Sequence, residues 1–266
     1  MKKITEQDSN YDGLENMEPL EIVTAMNQED QKVAIAVQQI LPEIAAFIQK
    51  ALVKMKEGGR LFYLGAGTSG RLGILDASEC PPTFGVDHGV VVGKIAGGDT
   101  AIRKAVEKAE DNTLLGWQDL LDEAVNANDI IVGVAASGTT PYVIGALQKA
   151  QENGNLTACI TCNPESPVTR VADHPLVALV GPEFLTGSTR LKSGTAQKMI
   201  LNMISTALMI GLGHVKGNKM VDMQLSNEKL VDRGAKMIMK ELHVSYDEAK
   251  KLLLKFGSVR RAVENF

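Results

Sequence analysis

Aromatic side chains make up only 4% of the 266 residues, there is a single tryptophan, and cysteine occurs 3 times. So few cysteines exclude a disulfide-framed secreted scaffold. The length makes such staples unnecessary, because at roughly 100–200 residues per domain one large α/β unit with an appendage buries a sizeable core. Cys159 and Cys162 have C-x-x-C spacing, but they lie in the β-like run that begins at Leu156. Side chains three apart on a strand point to opposite faces, so the pair reads as two inert core thiols rather than a redox couple. Cys80, beside Pro81, has no partner nearby in sequence, and His88, His174, His214 and His243 lack ligand spacing. No metal site is expected.

A basic excess is missing as well. The 28 Lys plus Arg stand against 32 Asp plus Glu, a net charge of −4, which gives no electrostatic ground for a nucleic-acid partner. Long apolar runs are absent: the stretch 200–212 is broken by Asn202, Ser205 and Thr206 and falls short of the ~18 uninterrupted residues of a membrane helix. No membrane partner is expected. The N-terminus turns acidic at Glu6 and has no apolar signal core, so a cytoplasmic location is expected.

What is present is an alternation of periods. Apolar residues at Val33, Val37, Ile40, Leu41, Ile44, Phe47, Ile48 and Leu52 predict helix over 20–56, closed by Gly58 and Gly59. Residues 60–64 read as a buried strand, followed by the loop Gly65-Ala-Gly-Thr-Ser-Gly-Arg71 and a helix that Pro81-Pro82 should terminate. Further strands are expected at 90–95, 130–134, 156–161 and 175–179, and helices at 100–112, 114–124, 142–153 and 192–211. The fold class is α/β, a parallel sheet sandwiched by helices. It divides into an N-terminal helical segment over 1–50, a central domain over 51–214 and a C-terminal helical region over 215–266, whose last stretch, 245–266, is a small helical appendage.

Two Gly/Ser/Thr loops carry the chemical signal. Gly67, Thr68 and Ser69 in the first, and Ser137, Gly138, Thr139 and Thr140 in the second, each follow a strand and open a helix. That is where open α/β sheets bind ligands and where free backbone N–H groups attract anions. Neither loop is followed by G-K-[ST], and hydroxyls without lysine suit a monophosphate held by neutral donors better than a triphosphate held through magnesium. The plainer alternative is a pair of ordinary strand-to-helix connections with hydroxyl N-caps.

Several runs resemble the N-acetylmuramic acid 6-phosphate etherase family, whose members contain a sugar isomerase (SIS) domain. They are Gly65-Ala-Gly-Thr-Ser-Gly-Arg-Leu-Gly73, Asp76-Ala-Ser-Glu-Cys-Pro-Pro-Thr-Phe84, Ala96-Gly-Gly-Asp99, Lys108-Ala-Glu-Asp-Asn112 and the run from Leu185 to Lys198, in an order that spans almost the whole chain. The resemblance implies a SIS-type, flavodoxin-like fold. It also implies cleavage of the D-lactyl ether on carbon 3 of the sugar phosphate by ring opening, β-elimination of lactate and addition of water, with no cofactor. By resemblance Glu79 is the acid that protonates lactate and Glu110 the base at carbon 2. The reverse assignment stays open, because water addition needs the reverse transfers. Ser188 and Thr189 join the two loops as expected contacts of the small-molecule sugar phosphate. The family's usual S-A-S-G-R-T-P reads Ala135-Ala-Ser-Gly-Thr-Thr-Pro141 here, without one hydroxyl and one arginine, and the C-terminal tail is expected to be shorter than the family's.

Geometry adds an expectation. Ten helical residues from Ser69 to Glu79 advance about 15 Å, more than a hexose phosphate spans, so a homodimer in which Glu79 serves a neighbouring site is expected. Two other functions fit the phosphate loops, an aldose–ketose isomerase and a non-catalytic sugar-phosphate-binding regulator. The pair Glu79 and Glu110 favours the etherase, since a sensor has no use for an acid and a base.

Overall fold

The computed structural model describes residues 3–106 and 108–266. Five strands form its centre: β1 (Leu61–Gly65), β2 (Val91–Ile95), β3 (Ile130–Val134), β4 (Leu156–Thr161) and β5 (His174–Val177). They pair in parallel in the order β2-β1-β3-β4-β5. The runs Leu-Phe-Tyr-Leu-Gly and Ile-Ile-Val-Gly-Val of β1 and β3 are buried at every position, as a parallel sheet covered on both faces requires.

Strand alternation sorts the side chains into two cores. Tyr63, Val132 and Ile160 enter one, together with α1 (Pro19–Gln38), α2 (Leu41–Lys56), α3 (Gly67–Phe84) and α7 (Lys192–Gly211). Phe62, Ile131 and Cys159 enter the other, with α5 (Leu115–Asp122) and α6 (Pro141–Glu152). Cys162 belongs to the first core and Cys159 to the second. Both are free and buried, and burial pushes each thiol up to about 12.

Three elements differ from expectation. The N-terminal helix is broken at Gln39-Ile40, because Pro42 has no N–H to continue the ladder from α1. The helix α3 is not stopped by Pro81 and Pro82 but runs on to Phe84. The prolines sit in its final turn, where each costs one bond, and Gly85 ends it in the left-handed region with its N–H on the Pro81 carbonyl at 2.9 Å. Instead of a helix over 100–112 there is a short α4 (Gly98–Arg103). The chain leaves it at Lys104 and re-forms only a 3-10 turn at Ala109–Asp111, entered through Lys108 at φ 64°.

The C-terminal region begins with a hairpin, β6 (Val215–Lys216) and β7 (Lys219–Met220). There follow α8 (Glu228–Leu242), α9 (Tyr246–Phe256) and α10 (Val259–Glu264), each started by a side chain, of Asn227, Ser245 or Ser258, that accepts a first-turn N–H. They share their own apolar cluster around Met223, Ile238 and Leu253. Among the described residues no helix is long and apolar enough to cross a membrane.

The start of α7 is held by charge. The buried Glu183 carboxylate accepts the Lys192 N–H at 2.9 Å, the Ser193 N–H at 2.9 Å and the Ser193 hydroxyl at 2.7 Å. Lys192, 1% exposed, places Nζ 2.5 Å from Oε2 of Glu29 on α1, itself 3% exposed. Burial works to raise the Glu29 carboxyl, but the hydrogen bonds from Lys192 and Lys32 outweigh it and leave the group below its ordinary 4.5. Breaking such a pair strands a buried charge, so Glu29→Gln should cost about 3–5 kcal/mol, whereas Glu29→Met with Lys192→Met should recover most of it. Urea denaturation at pH 7 measures both. Because the folded carboxyl titrates below the unfolded one, its contribution is complete above about 4.5 and disappears as pH falls through the folded value. The gap between wild type and Glu29→Gln should therefore close in acid.

Candidate functional site

The first loop is made tight by glycine. A Cβ at Gly65 would lie 2.6 Å from the Gly70 N, so α3 can start directly against the end of β1 only without side chains there. The amides of Gly67, Thr68 and Ser69 precede the first helical bond, Gly70 to the Ala66 carbonyl, and remain free for an anion. Ser69 donates its hydroxyl to Oε1 of the buried Gln197 at 3.0 Å, while Gln197 Nε2 has no partner among the described residues. Turning that amide over would let Nε2 donate to Ser69 and free the hydroxyl proton for a ligand.

Beside this loop lies a cavity of about 240 Å³ lined by Gly67, Arg71, Lys108 and Glu110. Arg71 is fixed there by donating to the Ile102 and Ala101 carbonyls at 2.8 and 2.7 Å. The second loop opens into another cavity, of about 370 Å³, lined by Ser137, Thr139, Ser166, Lys3, Glu165 and Arg170. In it the Ser137 and Thr139 hydroxyls are 3.0 Å apart. Gly138 sits at φ +69°, and a Cβ there would fall 2.1 Å from the Ser166 hydroxyl. Thr140 occupies the cap position of α6 without a side-chain bond to it. Thr189 and the first loop both border Gly194: the Thr189 carbonyl and the Thr68 methyl each lie 3.5 Å from where a Cβ of Gly194 would be, and Ser188 is held just before Thr189 by the Leu185 carbonyl at 2.9 Å.

The loops diverge for a topological reason. From the adjacent strands β1 and β3 the chain crosses to opposite sides of the sheet, α3 packing in one core and α6 in the other, which opens a crevice at the strands' carboxyl ends. Glu110 thus shares a cavity with Gly67. Glu79 does not: it is exposed on α3, a helix unbroken from Gly67 to Phe84, about 15 Å of rise beyond Ser69.

Kinship agrees with this layout. Residues 43–151 match the model of the glucokinase regulatory protein N-terminal SIS domain, and residues 118–207 that of the SIS domain. The N-acetylmuramic acid 6-phosphate etherase of Bacteroides fragilis (strain YCH46) is 60% identical over 99% of this chain and 94% of its own. The chain belongs to the N-acetylmuramic acid 6-phosphate etherase family. Among solved folds, a phosphoheptose isomerase from Francisella tularensis superposes with a TM-score of 0.55 at 16% identity, covering 72% of this chain and 98% of that one. A second phosphoheptose isomerase, from Neisseria gonorrhoeae, also superposes at 0.55 with 16% identity, covering 72% and 98%. These neighbours share the SIS fold.

In this etherase-family chain several site-lining groups were not singled out from the sequence: Arg71, Lys108, Gln197, Lys3, Ser166 and Arg170. Arg71, Lys108 and Gln197 lie inside the family-like runs, whereas Lys3, Ser166 and Arg170 carry no local signal. Backbone strain marks two positions, since Lys108 and Glu165 are non-glycine residues at φ 64° and 53° and each lines one cavity. The buried Asp76, one turn before Glu79, accepts from Asn202 at 2.7 Å and Ser205 at 3.2 Å and so pins α3 to α7. Burial pushes its carboxyl above the ordinary 3.8 in spite of those bonds.

The second loop offers a direct test. Gly138→Ala combines an unfavourable φ with a clash against Ser166, so it should lower stability by about 1–3 kcal/mol. Adding Ser166→Gly should return the part due to the clash. An unchanged melting temperature in Gly138→Ala would mean that Ser166 does not hold the loop.

Proposed function

We propose that the chain is a carbon–oxygen lyase that cleaves N-acetylmuramic acid 6-phosphate to N-acetylglucosamine 6-phosphate and D-lactate. What carries this reading is the near full-length kinship with etherases, and the cavity that sets Glu110 beside the Gly67-Thr68-Ser69 loop supplies the chemistry. An ether oxygen leaves poorly. Opening the sugar ring frees an aldehyde that acidifies the carbon 2 proton, a carboxylate removes that proton, and lactate departs from carbon 3 as an acid protonates its oxygen. Water then adds to the unsaturated aldehyde. Glu110 is the base and Glu79 the acid, with the hydroxyls of Thr68, Ser69, Ser137, Thr139 and Thr140 and the Ser188-Thr189 turn as substrate contacts. The sugar-phosphate-binding domain, residues 51–214, carries both glycine loops. A sugar phosphate is a charged molecule that a bilayer retains, which suits a cytoplasmic reaction.

The working assembly is a homodimer. Glu79 stands too far along α3 to reach a substrate gripped at Ser69, and Leu75, four residues earlier on the same helix face, is 51% exposed. A second copy covering that face would supply Glu79 to this site and bury Leu75.

Purified protein should release D-lactate from N-acetylmuramic acid 6-phosphate, at the same rate in excess chelator. Carbon 2 exchange with deuterated solvent but no lactate would indicate an isomerase instead, and binding without either would indicate a regulator. Glu110→Gln should abolish that exchange and lower lactate release roughly 100- to 10,000-fold. Glu79→Gln should stop lactate release while some exchange survives. The opposite pattern would reverse the two roles.

The shared site has its own test. Chains carrying Ser69→Ala and Ser137→Ala, mixed with Glu79→Gln chains, should regain activity that neither parent has, since each hybrid dimer holds one intact site. If subunit exchange is verified and mixing restores nothing, Glu79 serves its own chain.

A further inference from the structure

The N-terminal segment lies across the open ends of β3 and β4. Thr5, fully buried, exchanges two hydrogen bonds with Asn163: its N–H donates to Oδ1 at 3.3 Å and its hydroxyl accepts from Nδ2 at 2.9 Å. Asn163 Nδ2 also donates to the Ala136 carbonyl, at 3.1 Å, so the same side chain braces the second loop. Further along, the Ser9 hydroxyl donates to the Phe184 carbonyl at 2.6 Å, and the Tyr11 ring lies 5.0 Å from that of Phe184. The strap so anchored delivers the Lys3 ammonium to the Thr139 hydroxyl at 3.0 Å.

The cavity it reaches is lined to suit an anion. The loop Ala135-Ala-Ser-Gly-Thr-Thr140 has no cation of its own. Lys3 and Arg170 bring two from outside it, neither in an ion pair among the described residues, against the single carboxylate of Glu165. Ser166 is only 6% exposed, yet its hydroxyl has no partner among the described residues and lies against Gly138. A buried hydroxyl left without a partner is costly unless a ligand completes it. Two cations and the hydroxyls of Ser137, Thr139 and Ser166 match the charge and the three terminal oxygens of a phosphate monoester.

We propose that Lys3 is a substrate-binding residue, which with Arg170 and Ser166 holds the phosphate of the sugar phosphate, so that the N-terminal strap is part of the site. Thr5 is a positioning residue that acts through Lys3. The assignment rests on the sugar-phosphate reading of the site, but its first measurement does not need turnover. Calorimetric titration with inorganic phosphate should give a dissociation constant roughly ten- to a hundredfold weaker for Lys3→Met than for wild type, as for loss of one charge-assisted hydrogen bond. Lys3→Arg should restore most of the affinity, and Thr5→Val should weaken it less than Lys3→Met at an unchanged melting temperature for the Lys3 variants. In lactate release, Lys3→Met should raise KM by a similar factor with kcat little changed. Equal phosphate affinity and equal KM in wild type and Lys3→Met would overturn the proposal while leaving the etherase reading intact. Lys3-dependent phosphate binding without lactate release by wild type would do the reverse. If Lys3→Met weakens D-lactate but not phosphate, the residue faces the other anion and the assignment is wrong.

Discussion

Helix α7 begins with a lysine that water does not reach. Its ammonium meets Glu29 across the core, and Glu183 takes the first amides of the helix. A carboxylate at a helix N-terminus also meets the positive end of the helix dipole. The arrangement ties α1, the loop before α7 and α7 itself into one rigid unit. The polar residues farther along α7 depend on that register: Gln197 is set against Ser69, and Asn202 and Ser205 against Asp76. Thus α7 fixes where α3 lies, and α3 fixes the first glycine loop. Slipping α7 by one residue would turn each of these polar groups into the apolar core that surrounds them.

The sheet supplies the complementary constraint. Because α3 and α6 leave adjacent strands for opposite faces, neither loop completes a site by itself, and each cavity borrows charged groups from elements distant in sequence. Lys108 and Glu110 come from the turn after α4, and Lys3 and Arg170 from the strap and the segment after β4. The borrowed groups lie on loops and turns away from the strand ends, while the glycines and hydroxyls lie at the junctions between strand and helix. This division of labour places backbone donors accurately and leaves the cations to reach in from the rim.

Much of the architecture was readable because it is local. Strands β3 and β4 and helix α7 have the expected limits, since a parallel strand buried on both faces and a helix between Gly/Pro-rich loops announce themselves in a handful of residues. The errors came where local rules are conditional. Proline ends a helix less effectively when the last turn needs few bonds, so Pro81-Pro82 misled. The charged run 100–112 has helical composition but turns back at Lys104, where Val106 packs onto Gly97. In the site, both loops were evident as strand-end turns. Their partners were not, because the Lys3–Thr139 and Ser69–Gln197 contacts join residues 136 and 128 apart, and no periodicity reports a contact of that span.

The same spans have a bearing on how the molecule is born. The strap that carries Lys3 is made well before Thr139, Asn163 and Phe184, to which it docks. Through most of synthesis the segment has nowhere to bind, and closing loops of that length is the slow, entropically unfavourable part of folding. The strap therefore docks late, and a nascent chain interrupted before Asn163 would hold both glycine loops without the clasp across the second.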